Sequence, residues 1–299
     1  MTTRSKGPLA GFGWLQHGIG AGFRHPKPIF GGAAFLLLAC LVPSLLSLPL
    51  QLSLRNGGAS PSPAVFVWIL AGSALLGLLI VPLYAGYLQV IDAAERGQPA
   101  RALDVFKPYR QGEALRLIGY GVALIVIYIG LFGIVIVATG SGIVGWYMQA
   151  LNAQANHQLP PALPPGFGLT VLLLMLAGLF VMGFYSISLG QVALRRRGVF
   201  NAIGDGLMGA LKNLLPLLVL AFSIFIAWII LAIALMIVIG VIVLIGKFAG
   251  GWLILLLGIP VYIAMLLLVF SVMFGVMYYL WRDVCGGDGA SDAAQPIAA

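Results

Sequence analysis

Charge is scarce in this chain. Of its 299 residues only 8% are Asp, Glu, Lys or Arg, whereas a soluble domain carries about a quarter. Apolar residues make up 61%. No water-soluble core of this length needs so much apolar surface, which excludes a soluble enzyme and a disordered chain. Cysteine is scarcer still. Cys40 lies inside an apolar run and Cys285 follows the last one, so neither a secreted disulfide scaffold nor a zinc spacing is available. The groups that could trade protons are few: His17, His25 and His157, and the acids Asp92, Glu95, Asp104, Glu113, Asp205, Asp283, Asp288 and Asp292. There is no G-x-S-x-G elbow, no H-E-x-x-H helix and no phosphate-binding loop. Period-2 alternation is also missing, which argues against a β-barrel.

Long apolar runs are abundant. Six can be read, at about 29–54, 64–91, 117–138, 169–194, 214–246 and 252–281. Each exceeds the roughly 18 residues that a spanning helix needs, and only an internally hydrogen-bonded backbone survives in lipid. No charged residue falls inside any of them. The uncharged stretch between Arg116 and Arg195 divides in two. Thr139–Gly142 and the Asn152–Pro165 segment, which holds PPALPP, carry turn chemistry. The fifth and sixth runs are parted by Lys247–Gly251, a tight hairpin. The fifth is long, so it must tilt, kink near Gly240 or project from the bilayer. The expected fold is all-α: a polytopic transmembrane bundle of six helices with short amphipathic interfacial helices on the cytoplasmic side. The organisation is a single membrane domain: an interfacial segment at 8–28, hairpins at 29–91, 117–194 and 214–281, cytoplasmic segments at 92–116 and 195–213, and a flexible tail at 282–299.

The few charges are sorted. Arg4, Lys6, Arg24 and Lys27 precede the first run, and Arg96, Arg101, Lys107, Arg110 and Arg116 follow the second. Arg195, Arg196, Arg197 and Lys212 follow the fourth, and Arg282 follows the sixth. Only Arg55 and Lys247 lie in the other gaps. Basic residues are retained on the cytoplasmic side of a membrane, so both termini are expected there, in a bacterial inner membrane. The net charge of +8 therefore reads as a topology signal, with no nucleic-acid partner implied. Trp252 and Trp281 bracket the sixth run as interfacial anchors would. The N-terminal 28 residues are too polar for a cleavable signal.

A repeat runs under this pattern. Phe12–Pro28 aligns on Phe200–Pro216 without a gap, with Phe12 on Phe200, Leu15 on Ile203, Ile19 on Leu207, Phe23 on Leu211, Arg24 on Lys212 and Pro28 on Pro216. The spacing puts the apolar positions on one helical face, ahead of a basic residue, a proline and a span. Pro28 and Pro216 suit the first turn of a spanning helix. The middle segment repeats the layout and not the residues: Leu103, Phe106 and Arg110 suggest a short helix broken by Pro108. Any multi-span protein needs amphipathic lead-in segments, so shared layout and a true threefold repeat both stay open. The glycines of the first copy (Gly11, Gly13, Gly18, Gly20 and Gly22) weaken it as a helix.

These segments resemble an uncharacterised family of proteobacterial six-helix inner-membrane proteins. The likeness rests on Gly13-Trp14-Leu15 followed by Phe23-Arg24-His25-Pro26. It rests also on Asp92-Ala-Ala-Glu-Arg-Gly-Gln-Pro99 with Leu103-Asp-Val-Phe106, and on Phe200-Asn-Ala-Ile203 with Leu211-Lys-Asn-Leu-Leu-Pro216. The layout is similar to the membrane domain joined to some glycerophosphodiester phosphodiesterases. The resemblance covers about residues 8–285. It implies a six-helix inner-membrane protein and carries over no catalytic residue, since the phosphodiesterase domain is not in this chain.

Asp92 and Glu95 are the one pair of acids three apart on a helix end, a spacing that can bind a metal or divide acid and base roles. The plainer reading is a solvated helix end with Asp92 paired to Arg96. Asp205 would face water. The Arg195–Arg197 run reads as a cytoplasmic anchor or a head-group site for anionic lipid, and Arg24, Lys27 and Lys212 share that reading. Hydroxyl and amide groups inside the runs (Ser44, Ser73, Tyr84, Tyr87, Tyr120, Ser186, Ser188, Gln191) line a cavity or, more commonly, bond between helices. Pro43, Pro49, Pro82 and Pro260 mark broken helices or simple kinks. No catalytic residue, metal or cofactor is expected. The expected role is a non-enzymatic scaffold, assembly or regulatory factor that binds membrane lipids and other inner-membrane proteins. The alternative is a passive transporter or channel for a neutral or lipid-like solute.

Overall fold

The computed structural model describes residues 3–55, 63–139, 142–155 and 158–286. His157, Asp288, Asp292 and the tail from 287 onward lie outside these residues. The described chain is helical, with no strand. In order it runs α1 (Ala10–Arg24), α2 (Pro26–Arg55), α3 (Pro63–Glu95), a 3₁₀ turn (Ala102–Phe106), α4 (Lys107–Arg110), α5 (Ala114–Thr139) and α6 (Gly142–Ala155). It continues with α7 (Phe167–Leu194), α8 (Val199–Lys212), α9 (Leu214–Ala249) and α10 (Trp252–Cys285). Six of these, α2, α3, α5, α7, α9 and α10, are long and apolar enough to cross a membrane. The chain is a multi-pass membrane protein.

The helices extend a few residues past the apolar runs and take charges into their end turns. Lys27, Asp92, Glu95, Arg116, Arg282 and Asp283 all sit there. At ~1.5 Å per residue the 36 residues of α9 reach about 54 Å, well beyond a ~30 Å hydrocarbon core. It stays one helix through Gly240 and stops at Gly250, whose φ of 113° suits glycine. α2, α3 and α10 likewise run unbroken through Pro43, Pro82 and Pro260. One helix is unexpected. α6 occupies part of the stretch read as a loop, and Trp146 Nε1 donates to Pro161 O at 3.1 Å, folding the PPALPP segment back on it.

The breaks before the spanning helices have a common cause. Proline has no N–H and clashes with the carbonyl four residues back. Pro216 therefore cannot bond Lys212 O, and Pro28 cannot bond Arg24 O. α8 ends at Lys212 and α1 at Arg24, so the two short helices terminate at matching positions of the repeat. His25 and Asn213 form the junctions. Ile29 N then bonds His25 O at 3.2 Å, and Leu217 N bonds Asn213 O at 3.0 Å. A third junction follows the same register: Leu117 N bonds Glu113 O at 3.2 Å. Ile29, Leu117 and Leu217 are all fully buried. Pro108 does not break the middle segment. It sits in the first turn of α4, just after the 3₁₀ turn.

The packing is cyclic. α3, α7 and α10 touch one another at the centre. Outside them, α2 packs on α3 and α10, α5 on α7 and α3, and α9 on α10 and α7. Each short segment rests on the hairpin one step back in the cycle: α1 on α9 and α10, the 3₁₀ turn on α2 and α3, α8 on α7. Layout thus repeats three times where residue identity repeats only twice.

Small residues make these seats. A Cβ at Gly18 would stand 2.7 Å from Val276 N, and one at Gly206 would stand 2.9 Å from Phe184 O. A Cβ at Gly86 would collide with Val105 O, and one at Gly11 with Pro216 O. Close approach of backbones through small residues is how helices pack when lipid removes most of the hydrophobic drive. Gly11, Gly18 and Gly22 of α1 are therefore contact points, while Gly13 faces open space. The apolar positions Phe12, Ile19, Phe23, Phe200 and Leu211 of the aligned face point outward.

The core lies at the charged ends of the helices. Ile80–Ile91, Leu117–Leu124, Phe184–Ala193, Leu217, Leu220 and Phe274–Cys285 supply most of it. Farther along, large apolar residues on α5, α9 and α10 are exposed. Trp281 is only 2% exposed, inside the bundle against Gly190, so it is no interfacial anchor, while Trp252 is exposed.

Candidate functional site

The three central helices are tied together at their charged ends by polar contacts. Gln89 Nε2 of α3 donates to Ala193 O of α7 at 3.0 Å. Arg195, just after α7, donates to Cys285 O of α10 at 3.1 Å, and its guanidinium lies 6.0 Å from the Trp281 ring centre. Tyr278 of α10 donates to Asp92 of α3 at 3.1 Å.

Asp92 and Glu95 emerge one turn apart because they close α3 at a spacing of three. Asp92 does pair with Arg96, Nε to Oδ1 at 2.8 Å. Glu95 is not a solvated helix end. Its side chain is 9% exposed, it accepts from Arg24 at 3.0 Å, and Tyr279 donates to its other oxygen. Arg24 donates a second bond to Tyr279 at 2.5 Å, and His25 Nε2 stands 4.0 Å from Glu95. The His17 ring packs on Tyr279 at 5.2 Å between centres, and the Arg282 guanidinium lies 4.4 Å from the same ring centre. Burial disfavours the charged Arg24 guanidinium. The hydrogen bond to Glu95 and the charges of Tyr279 and Glu95 outweigh that and hold its pKa above the ordinary arginine value. The Tyr278–Tyr279 pair completes this cluster, and the sequence reading did not single it out. Two adjacent tyrosines in the closing turns of a span, just ahead of Arg282 and Asp283, were the available signal.

The other basic candidates are also engaged within the chain. Arg196 pairs with Glu113 at 2.8 Å, and Arg116 lies 3.5 Å from the same carboxylate. Arg197 pairs with Asp205 at 3.2 Å. Asp205 also accepts from Gln191 at 3.1 Å and is largely buried, so it does not simply face water. Lys212 donates to Thr3 O at 3.2 Å. Lys27 is exposed, and no ion pair holds it among the described residues. The candidates fall into two groups. Arg24, Asp92 and Glu95 gather around α3 and α10, and Arg195, Arg196, Arg197 and Lys212 around α7 and α8.

A strap formed by residues 3–6 crosses from α8 to α10. Asn213 is its hub: Nδ2 donates to Arg4 O at 3.0 Å and Oδ1 accepts from Lys6 N at 2.9 Å, as a neighbouring strand would. Arg4 N donates to Val284 O at 3.0 Å, and Lys6 Nζ meets Asp283 at 2.5 Å. Trp14 Nε1 donates to the same carboxylate at 3.0 Å. Asn213→Ala removes the hub. It is expected to cost about 1–2 kcal/mol and to open the strap about tenfold more often. Tryptic cleavage after Arg4 and Lys6, followed by mass spectrometry, reads this directly. An unchanged rate would show that Asn213 does not hold the strap.

Among the described residues no group of three or more His, Cys, Asp or Glu is placed to hold a metal. Buried hydroxyls bond to neighbours. Tyr120 and Ser188 share a 2.6 Å bond, Tyr87 donates to Ile29 O at 3.0 Å, and Ser186 bonds back to Met182 O at 2.7 Å. Comparison of the chain with family models, curated proteins and solved structures gives no match.

Proposed function

We propose that this protein is a non-enzymatic scaffold of the bacterial inner membrane that acts by binding lipids and other membrane proteins. One observation carries the reading. The polar contacts concentrate at one end and tie helices together there, whereas the other end offers long apolar faces and no charge between Ile125 and Thr139 or between Phe225 and Ile245. Acids that are spent on Arg24, Arg96, Arg116, Arg196 and Arg197 hold a structure together. Exposed Phe12, Phe23, Phe200 and Leu211 on α1 and α8 suit short helices lying in the membrane interface, with basic residues beside them. The charged end would be cytoplasmic, as would both termini.

Isolation in mild detergent with mass spectrometry is the test. A reproducible partner protein or tightly held lipid is expected, and neither appearing in repeated preparations would sink the proposal. A passive carrier has less support, because hydroxyls that would line its path are bonded across helices or back along their own helix, and Pro82 and Pro260 lie in unbroken helices.

Orientation has its own prediction. Cys285 is buried, so a thiol placed elsewhere is the better reporter. In a cysteine-free background, Gln98→Cys at the charged end should react only with reagents that cross the inner membrane. Leu159→Cys, at a position 91% exposed between α6 and α7, should react from outside in intact cells. The reverse pattern would invert the topology.

A further inference from the structure

A shallow recess of about 390 Å³ lies on α8. It is lined by Arg197, Phe200, Asn201, Gly204, Asp205, Met208 and Lys212, with Thr3 of the strap at one end. The spacing 200/201, 204/205, 208 and 212 follows one helical face. Gly204 forms the floor, and a Cβ there would meet nothing within 4 Å. Arg197 is engaged by Asp205 through Nε, which leaves its two terminal nitrogens as donors. Lys212 gives one proton to Thr3 O and keeps two. Phe200 and Met208 are exposed at 85% and 53% and flank the cations with apolar surface.

We infer that this recess binds the head group of an anionic phospholipid, with the phosphate between Arg197 and Lys212 and the acyl chains passing over Phe200 and Met208. The charges select the occupant. The lining carries two cations, and its one acid, Asp205, is already held by Arg197 and Gln191. The apolar flank selects the lipid over a free anion, which would have no use for an exposed phenylalanine beside it. The other basic clusters are poorer hosts. Arg24 gives bonds to both Glu95 and Tyr279, Arg196 pairs with Glu113, and neither lines this recess. The inference rests on the reading that the charged end lies at a membrane surface.

The full chain, delipidated in mild detergent, is titrated with phosphatidylglycerol and followed by native mass spectrometry. One lipid is expected to be retained specifically, with phosphatidylcholine retained at least about tenfold less. Gly204→Leu adds a side chain to the recess at a position where a Cβ meets nothing within 4 Å, and should abolish retention while the protein stays folded, as judged by its thermal transition. Arg197→Gln and Lys212→Gln should each weaken binding about fivefold. Arg110→Gln, exposed at the end of α4 and outside the recess, should leave it unchanged. Retention by Gly204→Leu equal to wild type would overturn the site. Inorganic phosphate displacing the lipid at millimolar concentration would make the occupant a free anion and overturn the lipid. Because binding is read in micelles, its failure leaves the scaffold proposal standing if partner proteins still co-purify. Loss of partner proteins with binding intact separates the two in the other direction.

Discussion

Gly18→Ala lowers the stability of the folded bundle by about 2–3 kcal/mol, whereas Gly13→Ala raises it by up to about 1 kcal/mol. Both glycines lie in α1, and both exchanges add the same methyl group. At position 13 the methyl meets nothing within 4 Å, so only the gain in helix propensity remains. At position 18 it stands 2.7 Å from both the backbone N and a side-chain methyl of Val276. Backbone cannot swing aside as a lysine tip can, so α1 must lift from α10. The reciprocal contact offers no relief, because a Cβ at Gly275 would lie 2.6 Å from Gly18 O. Thermal or denaturant unfolding in detergent micelles compares the two variants. Equal effects at the two positions would show that α1 does not seat on α10 through Gly18.

Arg24→Met is expected to cost about 2–3 kcal/mol, since it strands a carboxylate that is 9% exposed. The loss stays below that of a fully buried pair because Arg24 itself is 45% exposed and partly screened. Glu95→Gln should cost less, because it removes the buried charge while its amide oxygen still accepts from Arg24 and its amide nitrogen can donate to the Tyr279 oxygen. The double variant should recover about 1–2 kcal/mol relative to the sum, since it leaves no stranded charge. Denaturant titrations of the four proteins close the cycle. Additivity within about 0.5 kcal/mol would mean that the two residues do not act as a pair.

The spans were legible because lipid imposes length and apolarity on every helix that crosses it. The junctions at Arg24–His25 and Lys212–Asn213 were legible too, since proline acts locally, on the carbonyl four residues back. The rest depended on partners distant in the chain. Gly18 reads as a weak helix former until Val276 is beside it. Trp281 looks like an anchor until Gly190 makes room for its ring. Glu95 looks solvated until Tyr279 arrives from α10. α6 was hidden for a different reason: its glycines and its Asn-Ala-Gln-Ala ending resemble a loop, and no strong apolar stripe marks it.

The cyclic packing makes the order of synthesis matter. The 3₁₀ turn settles on α2 and α3, and α8 on α7, both already made when each segment leaves the ribosome. α1 is the exception. Its seat is α9 and α10, the last helices to be translated. Gly18 and Gly275 are roughly 250 residues apart, so at about 5–20 residues per second the first helix waits some 10–50 s for its partner. During that interval its glycine face has no protein to cover it. Closure of the ring is therefore the final act of assembly, and a chain cut short before α10 leaves α1 without the Gly275–Val276 side of its seat.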